Sequence, residues 1–172
     1  MRCLGLFLLS AALGAAVWAG APVQPEELTN SIARDGAAPV VNRLFKDQET
    51  WDGVMTHISS GDHRWVALGI ALLAGADAGA ASEIHDALFP VLGRDPAYLL
   101  RQPPSPNFDV IEICSGRHEP LGTYKDAEAE HRAVAAKVTA LGDKFGERRR
   151  LCLAALDSGL RDIQRFFEVQ PK

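Results

Sequence analysis

The chain has 172 residues, of which 18 are Lys or Arg and 22 are Asp or Glu, so its formal net charge is −4 at pH 7. This acidic balance argues against general nucleic-acid affinity, which needs a basic surface. A chain of this length corresponds to one domain that can bury a sizeable core.

The first residues have the three parts of a secretory signal peptide. Arg2 supplies a positive charge, Leu4–Leu13 is an apolar run, and small residues around Ala19 offer a cleavage site. We favour cleavage after Ala19, because cleavage after Ala21 would leave a proline as the first mature residue. Cys3 precedes the apolar run and is therefore not placed like a lipoprotein cysteine.

An uncleaved membrane anchor is the alternative for this segment. A spanning helix needs about 20 apolar residues, and Leu4–Trp18 is shorter than that. We therefore expect residues 1–19 to be a signal peptide and residues 20–172 to form a single helical domain. The mature domain is expected in the periplasm or outside the cell, without stable membrane insertion.

Two cysteines remain after removal of the signal, Cys114 and Cys152. An even number of cysteines in an exported protein indicates a disulfide, and two cysteines allow one connectivity. Closing a loop of this size stabilises the fold by about 4 kcal/mol in the chain-entropy model. The alternative is a pair of free thiols.

Three aspartates predict helix starts in the central part of the chain. Each precedes an apolar stripe of helical period, and its side chain can accept a hydrogen bond from a free backbone N–H. They are Asp62, Asp77 and Asp95, the last followed by Pro96. Glycines are expected to end the preceding helices, at Gly61, Gly75 and Gly93. Short antiparallel helices result, so we expect an all-α fold of helix hairpins, packed as a small bundle or short solenoid with one disulfide.

Helices are also predicted on both sides of this central part. After the signal peptide, Pro25 and Pro39 are expected to begin two helices. Two longer helices with apolar stripes follow Tyr124. The proline-rich segment 102–107 is predicted to be a loop. Phe108–Cys114 is rich in β-branched residues, so a short strand and a helical turn held by the disulfide both remain open.

Histidines and acids provide few candidates for catalysis or metal binding. Glu128 and His131 have the Glu-x-x-His spacing of di-iron bundles, but such sites need a second motif and two more glutamates. His131 also completes an apolar stripe, which favours a core histidine. Cys114 and His118 lack the second nearby cysteine of a zinc site. We therefore expect no metal and no cofactor.

A serine hydrolase is the enzyme alternative. His57 and His63 flank Ser59, Ser60 and Asp62, but the Gly-x-Ser-x-Gly elbow that presents a nucleophile is absent from the sequence. Phosphate-loop and dinucleotide motifs are absent as well. The sequence therefore favours a protein that is not an enzyme.

Two sets of side chains are candidates for contacts with a protein partner. Trp51, Trp65 and Tyr98 lie near helix starts, where they are either core residues or exposed interface anchors. Arg148–Arg150 form a basic cluster with Lys144, which is either a solvated face paired with nearby acids or an electrostatic patch.

The central block resembles a group of small exported helical proteins from proteobacteria. The resemblance covers residues 49–156 and lies in Ile58-Ser59-Ser60-Gly61-Asp62 with Trp65, Asp77-Ala78, Asp95-Pro96 with Leu99-Leu100, and Arg149-Arg150-Leu151-Cys152-Leu153. Asp95 stands where asparagine is usual in that group. These motifs are caps and core positions, so they imply a fold and a location. In size, export and helical content the group is similar to periplasmic immunity proteins of secretion-system toxins.

This resemblance implies a protein-binding module that occludes a protein partner, which we expect to be a secreted toxin. A structural or adaptor role in the cell envelope is the alternative. We expect the partner near the turns around Ser59–His63 and Ala76–Gly79. The candidate partner-binding residues are Trp51, Ser59, Asp62, His63, Trp65, Asp77 and Tyr98.

Overall fold

A computed structural model of the chain describes residues 23–117, 120 and 122–169. Residues 1–19, the expected signal peptide, and His118 lie outside the described residues. The described part contains nine α-helices and no β-strand, which confirms the all-α prediction. The helices are α1 (Pro25–Asp35), α2 (Ala37–Lys46), α3 (Gln48–Ser59), α4 (His63–Leu72), α5 (Ala78–Arg94), α6 (Pro96–Arg101), α7 (Val110–Cys114), α8 (Tyr124–Thr139) and α9 (Gly146–Val169), with a 3-10 turn at Leu73–Gly75.

Side-chain caps explain where most of these helices begin. Asp62 accepts a hydrogen bond from the Arg64 N–H (2.9 Å), and Asp77 and Asp95 cap α5 and α6 in the same way (both 3.0 Å). The three predicted aspartate caps are thus confirmed. Such a cap stabilises a helix by about 1 kcal/mol. Asp47, Asp109 and Thr123 act as further caps, for α3, α7 and α8.

The prediction that Gly93 ends a helix is wrong. Helix α5 continues through Gly93 to Arg94, and the Asp95 N–H still donates to the Val91 carbonyl (2.7 Å). A glycine inside a helix costs only about 1 kcal/mol. A Cβ on Gly93 would stand 3.5 Å from a Val134 methyl group of α8, which is an ordinary van der Waals distance.

Helix α5 also contains Pro90, which removes one helical hydrogen bond. A proline has no N–H, so the carbonyl four residues earlier, that of Asp86, loses its helical donor. The Arg117 guanidinium supplies a replacement by donating to the Asp86 carbonyl (2.8 Å). The same guanidinium binds both carboxylate oxygens of Glu130 on α8 (3.1 Å each). Arg117 therefore ties the segment after α7 to both α5 and α8.

Helix α5 lies at the centre of the fold. It packs against α3, α4, α6, α7 and α8, while α8 pairs with α9 and α1 packs on α2 and α4. In a solenoid each unit contacts only its neighbours along the chain. The arrangement is therefore a bundle around α5. Its largest fully buried side chains include Trp51, Phe89 and Phe108.

The disulfide joins the end of α7 to α9. Cys114 and Cys152 are bonded, with their Cα atoms 5.2 Å apart and both residues buried, which confirms the predicted pairing. The open question about Phe108–Cys114 is also answered. Val110–Cys114 is a short helix capped by Asp109, and Phe108 only exchanges backbone hydrogen bonds with Ser105 (2.9 and 3.2 Å).

Candidate protein-binding surface

One end of the bundle brings together most of the residues that the sequence suggested for partner binding. The turn between α3 and α4 meets the junction of α5 and α6 there. Arg94 bridges them, since its guanidinium donates to the Ser59 carbonyl and its Cδ lies 3.3 Å from where a Cβ on Gly61 would stand. We call this end the turn surface, formed by Ser59, Asp62, His63, Arg64, Arg94, Asp95 and Tyr98.

His63 and Tyr98 form the centre of the turn surface. Their rings stack with centroids 3.7 Å apart and planes 12° apart. The Tyr98 hydroxyl donates to the His63 carbonyl (3.2 Å), and His63 Nε2 lies 3.1 Å from Asp95 Oδ2. Partial burial, assisted by the Asp95 carboxylate, raises the pKa of Tyr98 above its usual value. Tyr98 is therefore a neutral hydrogen-bonding side chain held in one orientation.

An exposed ion-pair network covers the edge of the turn surface. Arg64 binds both carboxylate oxygens of Asp62 (3.2 and 2.8 Å) and reaches Glu26 on α1 (3.2 Å). The Arg64 side chain and N–H lower the pKa of Asp62 to about 2. Asp62 thus stays charged at all physiological pH values. It both caps α4 and orients Arg64, whose side chain is 64% exposed.

The two predicted tryptophans are core residues in this structure. Trp51 is 0% exposed, and its indole N–H donates to Glu83 (2.6 Å). Trp65 is 6% exposed, and the His57 ring stacks on it with centroids 4.5 Å apart. The surface therefore offers the exposed His57 ring, while neither indole is available to a partner.

Asp77 lies far from the turn surface. It caps the first turn of α5, whereas Arg94 and Asp95 stand at the other end of that 17-residue helix, roughly 25 Å away at 1.5 Å per residue. Successive turns of antiparallel helices alternate between the two ends of a bundle. The structure therefore does not join Ser59–His63 and Ala76–Gly79 into one surface.

The arginine cluster at the start of α9 is engaged within the fold. Arg148 donates to the Gln102 carbonyl (2.6 Å), and Arg149 donates to the Val138 and Thr139 carbonyls at the end of α8 (3.1 and 2.9 Å). Arg150 pairs with Glu147. Arg150 therefore fits the alternative of a solvated side chain paired with a local acid. Arg148 and Arg149 instead donate to backbone carbonyls at the ends of α6 and α8.

A groove of about 450 Å³ adjoins the turn surface and shares Ser59 with it. It runs between α3 and α5, with the thioether of Met55 on one side and Arg117 among its lining residues. Carboxylates of Asp52 and Glu83 also line it. Beside the turn surface, the molecule thus presents a groove lined by three acidic residues and one arginine.

Sequence reasoning missed Arg94 and His57. Arg94 joins two turns that are distant along the chain, and no local pattern marks it for that role. The sequence suggests His57 only as part of a serine hydrolase. Its position two residues before Ser59 gives no indication of the stack on Trp65.

The described residues show no arrangement typical of metal binding. They contain no group of three or more His, Cys, Asp or Glu placed to hold a metal ion. Glu128 pairs with Arg132 (2.6 Å), while His131 is only 3% exposed in the core. Across the described part of the chain, no helix is long and apolar enough to cross a bilayer.

Comparison of the chain with protein-family models, with curated proteins and with solved structures finds no match. The resemblance to exported proteobacterial proteins stays a prediction based on the motifs in residues 49–156.

Proposed function

We propose that this chain is an exported, periplasmic protein-binding module, and specifically an immunity protein that occludes an antibacterial toxin. The turn surface is the observation that supports the proposal. It combines an aromatic side chain, a histidine and two exposed arginines on the ends of packed helices. Tyrosine and arginine are enriched among the residues that dominate protein–protein binding energy.

The hydrogen bonds within the turn surface favour tight binding of a rigid partner. Binding immobilises flexible side chains at about 0.5–1.5 kcal/mol each. Tyr98 and His63 are already held by stacking and by two hydrogen bonds, so little of this cost remains. The adjoining acidic groove adds charge complementarity toward a basic partner, which speeds association and helps to exclude other partners.

The expected signal peptide supports the choice of compartment. A periplasmic immunity protein must meet its toxin outside the cytoplasm, where Cys114 and Cys152 can remain bonded. A partner that is itself secreted therefore fits the proposal better than a cytoplasmic protein.

Co-expression in the periplasm tests the proposal. A secreted protein encoded beside this chain is directed to the periplasm of a host, alone or together with the full chain. We expect arrest of growth in the first case and protection in the second. A version of the chain without residues 1–19 is the control, and it should fail to protect because it stays in the cytoplasm.

Two outcomes would contradict the immunity role. If the neighbouring protein is harmless when exported alone, or if the full chain does not bind it, that role is excluded. Binding to a harmless envelope protein would instead support the adaptor alternative.

A further inference from the structure

His131, on α8, lies where this helix meets α5, α9 and the segment 115–117. Its ring packs on Phe89 of α5, with centroids 4.8 Å apart, and is 3% exposed. Gly116 and Gly159 both approach the same ring. A Cβ added to Gly159 would stand 3.2 Å from His131 Nε2, and a Cβ added to Gly116 would overlap that nitrogen. The chain segment 115–117 is thereby packed between α8 and α9.

Neither ring nitrogen of His131 has a hydrogen-bond partner of normal geometry among the described residues. Burial lowers the pKa of His131 below its usual value, while the nearby carbonyls of Ser115 and Ala127 and the Glu130 carboxylate oppose this effect. Burial is the largest of these influences. His131 is therefore neutral in the packed state, and charging it there leaves a poorly solvated cation.

Charged and titratable groups surround this site on every packed element. They are Glu130 and Arg132 on α8, Arg117 after α7, Asp157 and Asp162 on α9, and His85 and Asp86 on α5. Glu130 is bound at both oxygens by Arg117, which weakens its ability to stabilise a protonated His131. Arg117 itself disfavours a positive charge on the ring.

We propose that His131 is a pH-sensitive latch that holds segment 115–117 against α9 when neutral and releases it when protonated. The disulfide keeps α7 attached to α9 during release, because Cys114 immediately precedes the segment. Release moves Arg117 away from Asp86 and Glu130, and so alters the groove between α3 and α5 that Arg117 lines. This inference goes beyond the proposed function and holds whatever the partner is.

The direction of the pH effect follows from the two states. The packed state has the lower pKa and the released state has the ordinary pKa of about 6.5. The latch is therefore fully closed above pH 6.5 and weakens as the pH falls below it. Uptake of one proton lets the fraction released rise by up to about tenfold per pH unit.

Hydrogen exchange on the oxidised full chain after signal removal tests the latch. The Gly116 N–H donates to the Ile113 carbonyl (3.1 Å) and reports on the segment, whereas the Trp51 N–H, bound to Asp47 (2.9 Å), reports on the distant α3. After correction for intrinsic rates, Gly116 should keep its protection from pH 7.5 to 6.5 and lose it as the pH falls from 6.5 to 5, by up to about tenfold per unit. Trp51 should keep its protection.

Two variants isolate the responsible histidine. His131→Leu should remove the pH dependence at Gly116. His85→Gln, a change at the other histidine that is buried among the described residues, should leave it intact. If His131→Leu does not fold, titration of the His131 ring by NMR in the unaltered protein replaces it, and loss of Gly116 protection must follow that titration. A pH-independent Gly116, a response that persists in His131→Leu, or equal loss at Trp51 would overturn the proposal.

Discussion

Gly159 on α9 offers a sharp test of the packing around the disulfide. Helix propensity alone predicts that Gly159→Ala stabilises the protein by about 1 kcal/mol. In the structure, however, a Cβ at this position would overlap the Ser115 carbonyl oxygen and stand 2.7 Å from its carbon. A backbone group cannot turn aside as a flexible side chain can. Overpacking costs about 1–3 kcal/mol, so we expect a net loss of up to about 2 kcal/mol once the propensity gain is subtracted.

Urea unfolding of the oxidised protein, followed by circular dichroism, measures this loss. Gly53→Ala in α3 is the matched control, because a Cβ on Gly53 meets no atom within 4 Å. The control should gain about 0.5–1 kcal/mol from propensity. If Gly159→Ala is as stable as Gly53→Ala, the result would contradict the close approach of the Ser115 carbonyl to α9.

Three further changes should lower the free energy of unfolding by amounts that the structure suggests. Replacing Cys114 and Cys152 together by alanine should cost about 4 kcal/mol. The unaltered protein without residues 1–19, denatured but not reduced, should show no thiol to a labelling reagent. Leu88→Ala, at a fully buried position of α5, should cost about 2–5 kcal/mol in urea unfolding. Arg117→Met removes the hydrogen bonds that Arg117 donates to the Asp86 carbonyl and to Glu130, and should cost about 1–3 kcal/mol. Arg132→Met, at an exposed pair, should change stability by at most about 0.5 kcal/mol; equal effects of the two would contradict the role of Arg117.

Local chemistry made much of the fold predictable. The caps at Asp62, Asp77 and Asp95 depend on a side chain and an N–H two or three residues away, so the sequence contains the whole interaction. The disulfide was predictable because two cysteines allow one pairing. The end of α5 was not, since the helix continues past Pro90, where Arg117 from another part of the chain replaces the missing hydrogen bond.

The candidate surface was only partly predictable for the same reason. Ser59, Asp62, His63 and Tyr98 do lie together, but Arg94 joins them through contacts that depend on how α5 packs on α3. The burial of both tryptophans depends on that packing as well. An aromatic residue near a helix start has the same local pattern in a core and at an interface, so the sequence left both alternatives open.

Titration of the purified oxidised protein against the secreted protein encoded beside it measures whether the turn surface binds that partner. We expect measurable binding that Tyr98→Ala weakens by about thirtyfold, the effect of losing a residue worth about 2 kcal/mol. Tyr124→Ala, a change at the start of α8 outside the turn surface, should alter the Kd by less than about threefold. Absence of binding, or equal weakening by the two variants, would contradict a partner site on the turn surface.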